Sequence, residues 1–349
     1  MPFKEEGCED KLKRVINKTL AIADGPACVS EARFIVITVA TPFDLRSSPD
    51  FSVMLGLFDS LLPHLVSGQY IILRSTVYPG TTEKIHEFLT ERGVDVHVAF
   101  CPERMVEGRA LAELESLPQI VSALDEDGTQ AAAALFKMLT RDIVVVTPKE
   151  AELAKLFANA WRYIQFSIAN QFFQVADEHG LDYYRIHHAM AYKYPRAQNM
   201  PKPGLTGGPC LYKDTMHLTA FGNNHFSLGR AAASINEGLP DYIVQRLKAR
   251  TDLSNLSVGI LGMAFKADSD DERGSLSLKL KGLLEAEAKK VYCSDPFVGR
   301  DGYVSAEELI HTCDIIILAT PHPEYHNLQI GEDKVLVDIW NFYGRGLTP

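Results

Sequence analysis

The chain has 349 residues, too many for one ordinary core at about 100–200 residues per domain, so two or three domains are expected. Hydrophobic residues make up 46% and charged residues 23%, a globular balance that excludes wholesale disorder. Lys and Arg number 35 against 45 Asp and Glu, and the net charge of −10 argues against nucleic acid or a polybasic membrane surface as partner, while an anionic small molecule needs only a local basic cluster.

Short apolar, β-branched runs alternate with helical patterns through the first part of the chain. Strands are predicted at 34–39, 70–73, 96–100 and 143–146, and helices at 51–66, 82–92 and 129–139. Continuous apolar strands joined by helices imply a parallel sheet covered on both faces. From Pro148 the period becomes helical. One long helix over 150–179 carries Leu153, Leu156, Phe157, Ala160, Ile164, Ile168 and Phe172 and ends near Gly180. Further helices are predicted at 184–192 and 228–249, with no strand between 148 and 255. The alternation then restarts, with strands at 257–261, 290–294, 314–319 and 335–339 and a helix at 275–288. The expected fold class is α/β: two parallel-sheet domains of the Rossmann type, 1–147 and 251–349, joined by an all-helical region, 148–250, that serves as an interdomain or oligomer platform.

No apolar run approaches the roughly 18–20 residues of a membrane span. The opening Met1 to Glu6 lacks a basic stretch ahead of an apolar one, so no signal peptide is expected and the location is read as cytoplasmic. Six cysteines are scattered without a CxxC pair, which implies neither a zinc or other metal site nor a disulfide framework. Cys28, Cys293 and Cys313 fit the role of small buried hydrophobes. A dinucleotide-binding domain opens strand, GxGxxG, helix, then a strand ending in an acid. Nothing upstream of Phe34 offers this. The nearest match is Gly259-Ile-Leu-Gly262, with Asp295 ending the following strand. It lacks the middle glycine, and the polar stretch 266–274 after it reads as a phosphate or substrate contact.

Four clusters carry chemistry. Gly204-Leu-Thr-Gly-Gly-Pro-Cys210 is a sharply bent loop on which small residues allow close approach of a ligand. Cys210 is a nucleophile candidate there, with Asp214 one helical turn away; the alternative is a turn with an incidental cysteine. Lys155 and Asn159 share a helix face at i, i+4, and Arg162 extends the stripe. On a largely apolar helix this pair suits polarising an oxygen, though most such pairs are solvated surface. Cys101-Pro-Glu103-Arg104-Met-Val-Glu107-Gly108 follows a strand, where α/β ligands bind, or is a mere helix start. Finally, 262–275 offers Lys266 and Arg273 to an anion and Ser275 as a helix cap, or is a solvated charged loop.

Together with Val39-Ala-Thr41-Pro42 and Ser75-Thr76-Val77-Tyr-Pro-Gly80-Thr81-Thr82, these clusters resemble, in order and spacing over nearly the whole chain, the UDP-glucose/GDP-mannose dehydrogenase family of NAD-dependent nucleotide-sugar 6-dehydrogenases. The resemblance implies two oxidations of a sugar C6 alcohol to a carboxylate, with NAD as cofactor, for polysaccharide precursor synthesis. It assigns Cys210 as the nucleophile that forms a thiohemiacetal and then a thioester. Lys155 and Asn159 stabilise the oxyanion, and Asp214 activates the water that Thr76 and Glu107 order. Substrate contacts carry over to Glu103, Arg104, Lys155, Lys266 and the Gly207-Gly208 backbone, and Arg196 to the neighbouring subunit of a homodimer. Thr41, Thr76, Glu107 and Arg273 fall where the family meets NAD. The stretch 195–204 is similar to the branch acting on UDP-N-acetylhexosamines. Two departures stand out. The family's opening GxGxxG unit is absent, on the order of 60 residues or about two β-α units. From this, weak NAD binding and an aggregation-prone first domain are expected beside intact UDP-sugar binding. The family's glycine five before the cysteine is Leu205 here, with Gly204 adjacent. The competing readings are a 6-phosphogluconate-type dehydrogenase, which needs neither Cys210 nor a third domain, and a non-catalytic nucleotide-sugar binder.

Overall fold

The computed structural model describes residues 5–39, 51–223 and 225–344. Contacts divide the chain into two compact units, Met1–Asn159 with Met216–Phe226, and Ala160–Thr215 with Ser227–Pro349.

The first unit runs α1 (Cys8–Val15), β1 (Phe34–Ile37), α2 (Ser52–Leu61), β2 (Tyr70–Leu73), α3 (Thr81–Thr90), β3 (His97–Phe100), α4 (Ala110–Ser116), β4 (Gln119–Ala123), α5 (Glu126–Phe136) and β5 (Ile143–Val145). Its sheet has the order β1-β2-β3-β4-β5. Successive side chains of a strand face opposite ways, and here both ways are apolar. Ile71, Leu73, Val98 and Phe100 join Phe58 and Leu89 in one core, and Ile72 and Ala99 join Ala132 and Phe136 in another. Coverage of both faces is why these strands read as unbroken apolar runs. One neighbouring pair is reversed: β3 meets β4 antiparallel through Ala99–Ala123 and Phe100–Ser122. The sequence reading did not contain β4, because Gln119 and Ser122 interrupt its apolar run. Both polar groups are satisfied in place, Ser122 Oγ donating to Phe100 O at 2.6 Å and Gln119 Oε1 accepting from Arg74 at 3.1 Å.

The helix α6 (Pro148–Glu178) follows, then α7 (Tyr183–Ala191), α8 (Leu211–Phe221), α9 (Ser227–Lys248), β6 (Ser257–Leu261), α10 (Leu276–Glu285), β7 (Lys290–Ser294), α11 (Ala306–Thr312), β8 (Ile315–Leu318) and β9 (Val335–Val337). Among the described residues no strand lies between Pro148 and Asn255. The sheet of the second unit is parallel throughout, in the order β7-β6-β8-β9. Phe173 of α6 and Leu239, Ile243 and Leu247 of α9 share one core with Val258, Ile260, Ile315 and Ile317. The later part of α6, α7 and α9 therefore condense with the last sheet into one unit, while the start of α6 and the end of α8 belong to the first. The opposite face packs Ile316, Leu318 and Leu336 against Leu309 of α11. Gly259 belongs to that contact: a Cβ there would stand 2.2 Å from Leu309 Cδ2. Ser275 caps α10, its Oγ accepting from the Ser277 N–H at 3.2 Å. No described helix is long and apolar enough to cross a membrane.

Candidate functional site

Open α/β sheets take ligands at the carboxyl ends of their strands. In the first unit, Thr76 lies beyond β2 and the 101–108 segment beyond β3. That segment is not a helix start; α4 begins only at Ala110. Glu103 and Arg104, expected as substrate contacts, organise the loop itself. One Glu103 oxygen accepts the N–H groups of Arg104 and Met105 at 2.6 and 2.7 Å, and the other pairs with buried Arg74. Arg74 also donates to Cys101 O at 3.0 Å, and the Arg104 guanidinium donates to Pro118 O. Glu107 is half-buried and is followed by Gly108 at φ +88°. The N–H groups of Gly108 and Ala110 donate to the Glu5 carboxylate at 2.8 and 2.7 Å, which fixes the end of this loop.

Lys155 is half-buried and Asn159 buried on α6. One turn ahead of Lys155, buried Glu152 accepts from Gly80 N–H at 2.6 Å and from Thr82 N–H and Oγ1 at 2.9 and 2.6 Å. Burial pushes this carboxyl above its ordinary range, against the pull of the three hydrogen bonds. Glu152 thus closes the N-terminus of α3 and ties the helix bearing Lys155 to the loop bearing Thr76. For NAD the fit is partial. Thr76 and Glu107 stand where a ligand of this sheet is met, but the α3 N-terminus is filled by Glu152 and offers no cradle to a pyrophosphate. Thr41 lies outside the described residues.

In the second unit the strand order turns at β6 and β8, the point where such sheets bind ligands. A cavity of about 250 Å³ opens there. Phe265 and Lys266 reach it from the segment after β6, Pro321 from the segment after β8, and Trp340 from beyond β9. Arg162, Thr206 and Gly207 complete its polar side. The glycine loop is pressed onto this wall. A Cβ on Gly204 would meet the Trp340 ring at 2.3 Å, one on Gly207 would meet Gly274 O at 2.5 Å, and one on Gly208 (φ +106°) would meet the Phe265 ring at 2.6 Å. Gly208 N–H donates to Gly274 O at 2.8 Å. Asn170 holds both backbone groups of Gly204 and bonds to buried Asn236. Leu205, in the family's glycine position, is buried in the core and lines the cavity.

Cys210 is exposed and sits at the start of α8, which was not predicted. Its carbonyl accepts the Asp214 N–H at 2.9 Å, so Asp214 is one turn on, fully buried, with Lys213 Nζ 3.7 Å from its carboxylate. The positive end of a helix favours an anionic sulfur. Elsewhere burial pushes the thiols of Cys101 up to about 12 and of Cys293 and Cys313 up to about 11, which makes them poor nucleophiles. Cys28 is exposed rather than buried: it lies on a surface turn, Pro26–Glu31. Arg273 is engaged by Asp271, with Nε 2.9 Å from both carboxylate oxygens. Burial raises the Asp271 carboxyl, but these bonds outweigh it and the net shift is downward. Arg196 is exposed, its guanidinium 5.0 Å from the Tyr194 ring centre. Asp295, the acid that ends the strand after the weak Gly259–Gly262 match, is fully occupied by backbone N–H groups and His322. Phe265 and Trp340 escaped the sequence reading as cavity walls; Arg162 was signalled only by its i+7 spacing from Lys155.

Three family models match in succession. The UDP-glucose/GDP-mannose dehydrogenase family NAD binding domain matches residues 1–140, its central domain 149–238 and its UDP binding domain 259–345. A UDP-N-acetyl-D-mannosamine dehydrogenase of Pyrococcus horikoshii is 30% identical over 353 residues, spanning 96% of this chain and 84% of that protein. The solved structure of a UDP-D-ManNAc dehydrogenase from Pyrococcus horikoshii is similar at a TM-score of 0.85 and 29% identity, over 93% of this chain and 80% of that one. That of a UDP-glucose dehydrogenase from Pyrobaculum islandicum is similar at 0.87 and 28%, over 96% and 83%.

Proposed function

The chain belongs to the UDP-glucose/GDP-mannose dehydrogenase family and is an NAD-dependent nucleotide-sugar dehydrogenase, an oxidoreductase, and from that premise we propose that it oxidises the C6 alcohol of a UDP-sugar twice, to the uronic acid, through a thioester on Cys210. The observation that carries this reading is the exposed Cys210 immediately ahead of α8, next to a glycine loop pressed onto the wall of a cavity that Arg162 and Lys266 line. NAD, when bound, accepts the hydride that leaves C6 in each oxidation. Cys210 Sγ adds to the aldehyde left by the first oxidation and holds it as a thiohemiacetal, a form that still carries the second hydride. Loss of that hydride leaves the thioester. Water adds to its carbonyl, giving a proton to Asp214, and the sulfur departs from the carboxylate product. Lys155 and Asn159 hold the charge that develops on the C6 oxygen, and Thr76 and Glu107 order the water.

Lys266, the Gly207-Gly208 backbone, Glu103 and Arg104 are assigned to the nucleotide sugar, and Thr41, Thr76, Glu107 and Arg273 to NAD. In functional terms 1–147 serves the cofactor, 148–250 the chemistry and subunit contact, and 251–349 the UDP moiety. The segment 195–204 and the name of the Pyrococcus horikoshii relative both support a UDP-N-acetylhexosamine, UDP-N-acetylmannosamine first. Such a product is a polysaccharide precursor made in the cytoplasm. The enzyme works as a homodimer, with Arg196 reaching the partner's site. The deciding experiment is Cys210→Ser with UDP-N-acetylmannosamine and NAD. Formation of the uronic acid is expected to fall at least about 1,000-fold, while calorimetric binding of the UDP-sugar stays within about twofold. Undiminished double oxidation by the Ser variant would sink the covalent route.

A further inference from the structure

Lys266 sits in the middle of a segment whose two ends are gripped by the same buried pair, Asp295 and His322. Both side chains are fully buried. At the near end, Asp295 Oδ2 accepts the N–H groups of Met263 and Ala264 at 2.7 and 2.9 Å. Its Oδ1 accepts those of Phe297 and Val298, both at 2.9 Å, which anchors the carboxylate to the turn after β7. At the far end, His322 Nδ1 accepts the Asp268 N–H at 3.3 Å. A ring nitrogen that accepts carries no proton, so the imidazole proton is on Nε2, and it is donated to Asp295 Oδ2 at 3.2 Å. Asp268 is at φ +58°, in the left-handed region that aspartate enters more readily than most residues with a side chain. Two further bonds close the segment: Phe265 N–H donates to Asp271 O at 2.9 Å, and Thr320 Oγ1 donates to Ala264 O at 2.6 Å. The turns following β6, β7 and β8 are thereby locked around one carboxylate, and the locked segment presents Phe265, Lys266 and Ala267 to the cavity, Lys266 being the charged one.

We infer that Asp295 and His322 are positioning residues for nucleoside diphosphate binding, acting through the segment that carries Lys266. Neither lines the cavity, so neither touches the ligand. The inference rests on the proposed reading that Lys266 meets the nucleotide. A flexible lysine on an untethered loop gives up much of its contact to the entropy of ordering; one held at both ends does not.

The test is a double-mutant cycle on the full chain, with UDP as the calorimetric probe and thermal unfolding as a check of folding. Lys266→Met is expected to weaken UDP binding about tenfold, through loss of a charge-assisted contact. In His322→Gln the amide nitrogen replaces Nε2 as donor to Asp295, and the acceptor for Asp268 N–H is lost. It is expected to weaken UDP about fivefold, and the double variant to bind no more than about twofold worse than Lys266→Met alone, because His322 acts only through the lysine. Unaltered UDP binding by His322→Gln, or fully additive losses, would overturn the inference. If Lys266→Met itself binds UDP as tightly as the parent, the reading of the cavity fails instead. Should the Gln variant not fold, His322→Asn, which keeps an acceptor near Nδ1 and loses the donor to Asp295, carries the same expectation and the same overturning results.

Discussion

Gly207 places the cysteine loop within reach of backbone that cannot yield. A Cβ there would stand 2.5 Å from Gly274 O and 3.0 Å from Leu276 N, neither of which can rotate away as a side chain does. Gly207→Ala is therefore expected to destabilise the protein by about 1–3 kcal/mol and to lower turnover by displacing the loop. Gly282→Ala is its counterpart. That glycine lies inside α10 with nothing within 4 Å of the added carbon, so alanine is expected to stabilise by about 0.5–1 kcal/mol. Urea midpoints at unchanged slope check both, and a Gly207→Ala midpoint equal to the parent's would disprove the close-packed loop. A second residue carries a pH dependence. Burial opposes ionisation of Asp295, but the His322 bond and the backbone N–H groups prevail and hold its carboxyl at about 2, against an ordinary 3.8. A depressed carboxyl stabilises the fold above its unfolded value and ceases to do so as pH falls through the folded one. About 2 kcal/mol is thus present at neutral pH and lost between about pH 4 and 2. Unfolding free energy measured across that range should drop for the parent and lie flatter for Asp295→Asn; equal slopes would contradict the assignment.

At the scale of elements, the join between α6 and α3 depends on one carboxylate. Glu152 receives three donors from the first turn of α3, and an amide in its place presents hydrogens to some of them. Glu152→Gln is expected to cost about 1–3 kcal/mol and to lower kcat more than it raises the KM for nucleotide sugar, since the same contact sets Lys155 against the Thr76 loop. A variant with parental stability and parental kcat would refute this. The elements that the sequence made legible are those whose pattern is one-sided. The strands at 70–73, 257–261 and 290–294 have the predicted bounds because their short apolar stretches end at polar or turn residues. β4 escaped because its polar residues are satisfied by partners 22 and 45 positions away, which no local pattern encodes. α8 escaped because it follows a Gly- and Pro-rich run and carries Thr215 and Thr219, which weaken a helical signal. With α8 unread, Cys210 appeared to lie on a loop, whereas its helix-start position is what suits an anionic sulfur. The candidate residues were legible as clusters. Their partners were not: the Arg74 pairing of Glu103, the Asp271 pairing of Arg273 and the cavity walls Phe265 and Trp340 exist only through the fold.

At the scale of the whole molecule, α6 carries an apolar stripe on its exposed face. Phe157, Trp161, Ile168, Phe172 and Val175 are each between 40% and 60% exposed. At 100° per residue these five positions fall within about 60° of one another around the helix, so they form a single stripe and not scattered surface residues. The buried positions Tyr163, Ser167, Asn170 and Phe173 lie on a different face, already used inside the second unit. An apolar stripe of several turns, with three aromatic side chains, is costly to leave in water and is the mark of an association surface. The proposed homodimer would place a second copy of the chain on this stripe, and the proposed mechanism also sends exposed Arg196 to a neighbouring site. Sedimentation of the parent at micromolar concentration is expected to give a dimer. Trp161→Glu with Phe172→Glu places a carboxylate on each side of the stripe's centre and is expected to give a folded monomer, since two desolvated charges cost several kcal/mol at such a contact. Turnover should fall with dimerisation, and UDP binding by the second unit should remain. A parent that sediments as a stable monomer, or a double Glu variant that remains dimeric, would rule out this stripe as the interface.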